Sequence, residues 1–278
     1  MAFKHSSWSA EEKAFAKRLA SFIELVAVTS AISSEIGERE EVLQVAWGSW
    51  LFFRMIHSAE SMILICERRV TFGQTVEFFP LDYYTVASIA RSMLDASIML
   101  AYVTERVTAE EFDVRRRVIE LHASITRYKM FKNWGEKNLA EQWDRDVNEQ
   151  RRLLEAKPFF NGLDGGRRQR ILAGMDCYIH GLRGAVRQLG WDKKQFDAAY
   201  AYLSAHTHSA PVSFIKTTEH GISSNYPSPA QFAVALISLD YAIWALSTAG
   251  ARILQLFPDV RNKLSPDEQR IVRHMRTP

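Results

Sequence analysis

The stretch DYYTVASIARSMLDASIMLAY, residues 82–102, decides how the chain is read. It opens on Asp82, whose carboxylate can accept from the unsatisfied amides of a first helical turn. It then continues to Tyr102 without glycine or proline. Tyr84, Ser88, Arg91, Asp95 and Tyr102 follow one another at spacings of 4, 3, 4 and 7 residues. That spacing draws a single polar stripe along an otherwise apolar helix. Such a helix belongs inside a protein. A guanidinium placed there cannot shed its charge and needs acceptors. Asp95, one turn beyond Arg91, is within reach by spacing alone.

Two other stretches share this character. Residues 42–69 carry Arg54, His57 and Glu60 within a long apolar run, and residues 230–257 carry Asp240. The apolar segments 42–66 and 231–251 have the length of membrane spans, but charges at such depth are costly in lipid. The sequence therefore predicts buried helices and no membrane partner. It predicts an all-α, single-domain multi-helix bundle over residues 1–278, built around long central apolar helices at about 42–69, 82–102 and 230–257.

Punctuation elsewhere is also helical. Ser9 with Glu12, Thr108 with Glu111 and Ser265 with Glu268 form capping boxes. They start helices at 10–31, at 109–134 and at Pro266. Gly135 and Gly190 are stop signals, for the second of these and for a helix over 167–189. Leu139, Trp143, Val147 and Leu154 mark a further helix. Asp192 caps another, to about residue 205. Residues 71–80 read as irregular, and 212–217 as a short strand-like piece. A polar loop, rich in Ser, Thr, His and Pro, is expected over about 206–229.

Bulk properties set limits. The chain has 278 residues, enough to bury a core without cross-links. Its net charge of +3 selects no class of partner. The two cysteines, Cys66 and Cys177, lie in apolar stretches and form no CxxC, which suits a reducing, cytoplasmic setting. There is no signal-peptide core at the N-terminus. Nucleophile-elbow, zincin, P-loop and dinucleotide signatures are absent from the sequence.

Buried charges must be paired. Glu60, Arg91, Asp95 and Asp240 are therefore expected to converge in one internal network. It either fixes helix register or lines a polar pocket. The segment Tyr202–Pro211 adds Ser204, His206 and His208 beside the long loop. The two histidines can cap a helix end, act as acid or base, or bind a metal with carboxylates from elsewhere. No spacing ties such carboxylates to them, so no metal site is assigned and no cofactor is implied. Arg115-Arg116-Arg117 followed by His122 is an Arg-x4-6-His pattern, although a solvated helix face reads equally well.

The helix at 89–102, with Arg91-Ser92 and Asp95, resembles the R-S-x-x-[ED] helix of a widespread family of uncharacterised, mostly bacterial helical proteins. Leu203-Ser204-Ala205-His206-Thr207-His208-Ser209 is similar to that family's later L-S-x-x-x-H-[SA] segment. The resemblance covers about residues 40–250, and Asp95 stands where glutamate is commoner. It implies a linked site of Arg91, Asp95 and His208, with His208 rather than His206 as its histidine, but no particular reaction. A more distant resemblance is to HEPN-type helical domains, which implies metal-independent ribonuclease or nucleotide-binding activity. Three functions follow as expectations. One is a module that binds a small molecule or nucleotide through Glu60, Tyr84, Ser204, His206 and Asp240, with His208, Arg91 and Asp95 as the reactive set, in a defence or stress system. The second is an RNA-cleaving enzyme of HEPN type. The third is a homo-oligomeric scaffold or accessory subunit without enzymatic activity.

Overall fold

A computed structural model of the chain describes residues 9–67, 69–72, 75–78, 81–215 and 227–274. The fold is all-α, apart from one short two-stranded antiparallel ribbon, β1 (Arg69–Phe72) and β2 (Thr75–Phe78). The ribbon replaces the irregular segment expected at 71–80. The chain divides into two compact units, one of Met1–Ala101 with Lys194–Pro278 and the other of Tyr102–Lys193.

The first unit contains α1 (Ala10–Ile36), α2 (Leu43–Glu67), most of α3 (Tyr83–Thr104), nearly all of α9 (Lys193–Thr207), α10 (Pro229–Leu256), α11 (Pro258–Lys263) and α12 (Pro266–His274). The Ser9 hydroxyl caps α1 by accepting from the Glu12 amide at 3.1 Å. Nothing between Ala31 and Ile36 breaks the helix, so α1 runs past its expected end. Gly37 stops it, with φ of 60°. The core is α1 packed against α10, and it buries Phe22, Leu25 and Ile32 of α1 and Leu239, Ile243 and Leu246 of α10. Gly250 of α10 is a close-approach point. A Cβ there would lie 3.2 Å from Val272 of α12 and 3.4 Å from Thr29 of α1, with Phe52 of α2 next to them. The Ser247 hydroxyl donates to the Val272 carbonyl at 3.2 Å and ties α12 to the same spot.

By length and composition α1, α3 and α10 could each cross a bilayer. This set differs from the expected pair, because α2 is not in it. Most of the apolar window of α3 and of α10 is buried within the protein.

The second unit contains α4 (Ala109–Trp134), α5 (Lys137–Glu155), α6 (Pro158–Asn161), α7 (Gly165–Leu172) and α8 (Leu182–Gln188). Thr108 caps α4, and Gly135 turns the chain into α5 with a left-handed φ of 80°. The α4–α5 hairpin is held by Ser124 on Asp146 and by Arg127, whose guanidinium lies 4.6 Å from the Trp143 ring centre. The single helix expected over 167–189 is broken into α7 and α8. Gly174 and Gly181 take φ of 69° and 68°, and a Cβ at Gly174 would come within 2.7 Å of Ile125. Only glycine adopts both that dihedral and that approach cheaply.

Candidate functional site

The polar stripe of α3 lies against α9, and the two helices run antiparallel there. Tyr84 meets His206 and Ser213 at one end, and Arg91 meets Ser204 and Tyr200 two turns along. On α9 these groups form two i,i+4 pairs, Tyr200 with Ser204 and Tyr202 with His206.

Arg91 is the most connected side chain of this seam. Its Nε donates to Ser204 Oγ at 3.0 Å. Its guanidinium carbon lies 3.4 Å from the centre of the Tyr200 ring, and its Nη1 forms an ion pair with Asp95. The Arg91 side chain is 13% exposed and that of Asp95 47%, so the pair opens to solvent on the carboxylate side. Burial raises the Asp95 carboxyl above its ordinary range, against the pull of Arg91.

His206 is buried at the other end. Its ring centre lies 4.9 Å from Tyr202, 6.0 Å from Tyr84 and 6.1 Å from Tyr83, and its Nδ1 has no hydrogen-bond partner. Burial lowers its pKa, which keeps the imidazole neutral at pH 7. The consequence for stability has a definite sign. The unfolded chain takes up a proton near pH 6.5 while the folded chain does not. The contribution of His206 is therefore complete above that pH and is lost as pH falls through it. Between about pH 7.5 and 5.5 the melting temperature of the wild type should drop more steeply than that of His206→Phe. Parallel slopes for the two proteins would show that His206 titrates as it does in the unfolded chain.

Several expected members stand elsewhere. His208 is exposed beyond the last residue of α9. Ser209 takes a left-handed φ of 49°, and the Ala210 amide reaches back to the Ala205 carbonyl at 2.8 Å, so the chain turns away just where His208 sits. The histidine of the seam is His206, not His208. The loop expected from 206 also starts later, because α9 continues to Thr207 and Pro211–Ser213 is a short 3-10 helix rather than a strand-like piece. Residues 216–226 of that loop lie outside the described residues. Glu60 is exposed on α2 and pairs with His57 at 2.9 Å. Asp240 pairs with Arg18 of α1 at 2.6 Å, and burial raises its carboxyl against that partner. The four charges expected to converge thus belong to three separate pairings. Each carboxylate has a partner of its own.

The Arg-x4-6-His pattern is held in ion pairs of the second unit. Arg115 binds Glu105 and Glu111, Arg116 binds Asp113 and Glu120, and Arg117 binds Asp113. Burial opposes ionisation of Asp113, but Lys157, Arg116 and Arg117 outweigh it and hold the carboxyl well below its usual range. Tyr102, last on the polar stripe, stacks under Arg115 at 4.4 Å.

Among the described residues no three His, Cys, Asp or Glu side chains gather as a metal site. A groove of about 770 Å³ between the end of α1 and the start of α2 is lined by Glu38, Glu40, Glu41, Trp50 and Phe53, among others. No histidine lines it, and its one cation, Arg39, is bound to Asp259 at 2.9 Å. The α3–α9 seam, with a cation, a neutral histidine and a serine, is the better candidate for chemistry. Sequence reasoning missed Tyr200 and Tyr202 in it. The i,i+4 relation of each to Ser204 and His206 was the available signal. No family model, curated protein or solved structure matches the chain.

Proposed function

We propose that the α3–α9 seam binds a small anionic molecule, with a nucleotide as the best chemical fit. One observation carries this reading: Arg91, largely buried, is oriented by Ser204 and stacked on Tyr200, while its carboxylate partner stays half in solvent. A phosphate offered from that side can replace Asp95 as the acceptor for the guanidinium, and charge-assisted bonds of this kind are the strong ones. The tyrosine rings offer stacking surface, and the buried Nδ1 of His206 has no hydrogen-bond partner. A cytoplasmic protein without a membrane partner suits this reading, since α3 and α10 bury most of their apolar windows. A role in bacterial defence or stress rests on the family resemblance alone.

Thermal-shift titration with ATP, GTP, AMP and inorganic phosphate tests the proposal. A ligand at 100 times its Kd stabilises by about 2.7 kcal/mol. A saturable rise in melting temperature is expected for the wild type and not for Arg91→Ala. Folded wild-type protein that responds to none of them at about 1 mM would remove the reading.

A metal-independent ribonuclease is the second reading. It is favoured by a neutral histidine and a guanidinium on one seam, a combination that can move a proton and stabilise charge. RNA should then be cleaved in the presence of chelator, and His206→Ala should abolish cleavage. Intact RNA under those conditions excludes it.

A further inference from the structure

The groove between the end of α1 and the start of α2 shares no residue with the α3–α9 seam. Its volume of about 770 Å³ lies in the range of small-molecule sites. All of its lining residues fall between Ser33 and Phe53, within the first unit. Two kinds of group line it. Trp50 and Phe53 form an aromatic wall, both exposed, with their rings edge-on at 90° and 5.9 Å apart. Glu38, Glu40 and Glu41, all exposed, supply carboxylates. The charge is one-sided. Arg39, the one lining cation, is paired with Asp259 at 2.9 Å, and Lys263 is held by Glu35 at 2.7 Å. Arg54, one turn beyond Trp50, is not a lining residue. The side chains of Glu38, Glu40 and Glu41 have no ion pair among the described residues, and none of them lies in the first turn of α2. One carboxylate would serve the positive end of α2; three exceed that need.

Exposed carboxylates alone attract any cation, and the wall between them narrows the choice. A tryptophan face attracts an organic ammonium, whose methylenes also pack on it. The three carboxylates do not gather at one point as a metal site requires. A string of charges therefore matches them better than one compact ion. Ser49 adds a polar group to the same lining: its Oγ is buried without a hydrogen-bond partner, and an ammonium brings donors only. We propose that this groove binds a linear aliphatic polyamine. Its ammonium groups lie against Glu38, Glu40 and Glu41, and a methylene segment crosses Trp50 and Phe53. The site stands or fails independently of ligand binding at the α3–α9 seam.

Isothermal titration calorimetry of the full chain with spermine, spermidine and putrescine at low ionic strength tests the proposal. Spermine should bind with one molecule per chain, and affinity should fall as ammonium groups are removed. Trp50→Ala and the double variant Glu40→Gln with Glu41→Gln change exposed side chains, so both should keep the helical circular dichroism of the protein. Each should raise the Kd for spermine at least tenfold. Absence of binding at about 1 mM spermine overturns the proposal. So does a Kd that Trp50→Ala leaves unchanged, because the carboxylates would then hold only a diffuse counter-ion. Displacement of spermine by Mg²⁺ at equal concentration would show the same and overturn it. A tetralysine peptide that binds more tightly than spermine would assign the groove to a basic protein segment and overturn it too.

Discussion

Arg115→Met is expected to destabilise the second unit by about 3–5 kcal/mol, the range found when one member of a buried ion cluster is removed. The Arg115 residue is 1% exposed. Its Nη1 donates to the Tyr102 carbonyl at 2.9 Å and to Glu105 at 2.7 Å. Its Nε and Nη2 both donate to one oxygen of Glu111, at 3.0 and 2.6 Å. One guanidinium thus joins the end of α3, the turn after it and the first two turns of α4. The Tyr102 ring beneath it carries the join further, since its hydroxyl accepts from the Ile179 amide at 3.1 Å and its ring meets that of Tyr178 in a T-shaped contact at 5.0 Å. Methionine fills part of the volume but leaves a carbonyl and two carboxylates without their donor. For a unit of this size such a loss corresponds to a fall in melting temperature of more than about 10 °C. Arg115→Lys should lie in between, because an ammonium keeps the charge but not the planar fork. The check is a thermal melt followed by circular dichroism with limited proteolysis between residues 102 and 193. A loss below about 1 kcal/mol would mean that water reaches the site and that the cluster contributes no more than surface pairs do.

Arg91→Met should cost less, about 1–3 kcal/mol. From sequence alone the Arg91–Asp95 pair looks wholly internal, and breaking it would then cost as much as at Arg115. The half-exposed Asp95 changes that expectation. When its partner is removed, the carboxylate is partly rehydrated and only partly stranded. Added to that residual cost are the lost bond to Ser204 and the lost stacking on Tyr200. The double variant Arg91→Met with Asp95→Leu should recover part of the loss, because burial already disfavours the Asp95 carboxylate. Urea midpoints of the two single variants and the double variant measure this coupling. If Arg91→Met behaves like a surface substitution, below about 0.5 kcal/mol, then Arg91 faces solvent and the seam does not form.

The sequence by itself determined where several helices begin. Ser9, Thr108 and Ser265 cap them, and Gly135 stops one, because capping bonds and left-handed dihedrals depend on residues three or four positions apart. It determined the apolar character of α2, α3 and α10, and hence the all-α class. It also determined the Arg91–Asp95 pair, since i,i+4 neighbours on a helix touch whatever surrounds them. Breaks that depend on packing were beyond it. The chain divides α7 from α8 at Gly174 partly because Ile125, nearly fifty residues away, leaves no room for a side chain.

Only the tertiary structure decided that Asp240 would meet Arg18 of another helix and not join the other charges. Arg18 reaches Asp240 from α1, whereas His57–Glu60 and Arg91–Asp95 are pairs within one helix each. The choice depends on how each helix is rotated about its axis, which sums packing over many side chains and leaves no local trace. The same holds for the histidines. His206 and His208 differ by two residues, about 200° around the helix, so His208 lies exposed while His206 stays among three tyrosines. It holds again for the arginine run, where Arg115 is buried and its neighbours are not, because only its side of α4 faces the end of α3. A burial that depends on a partner element cannot be read from the element alone.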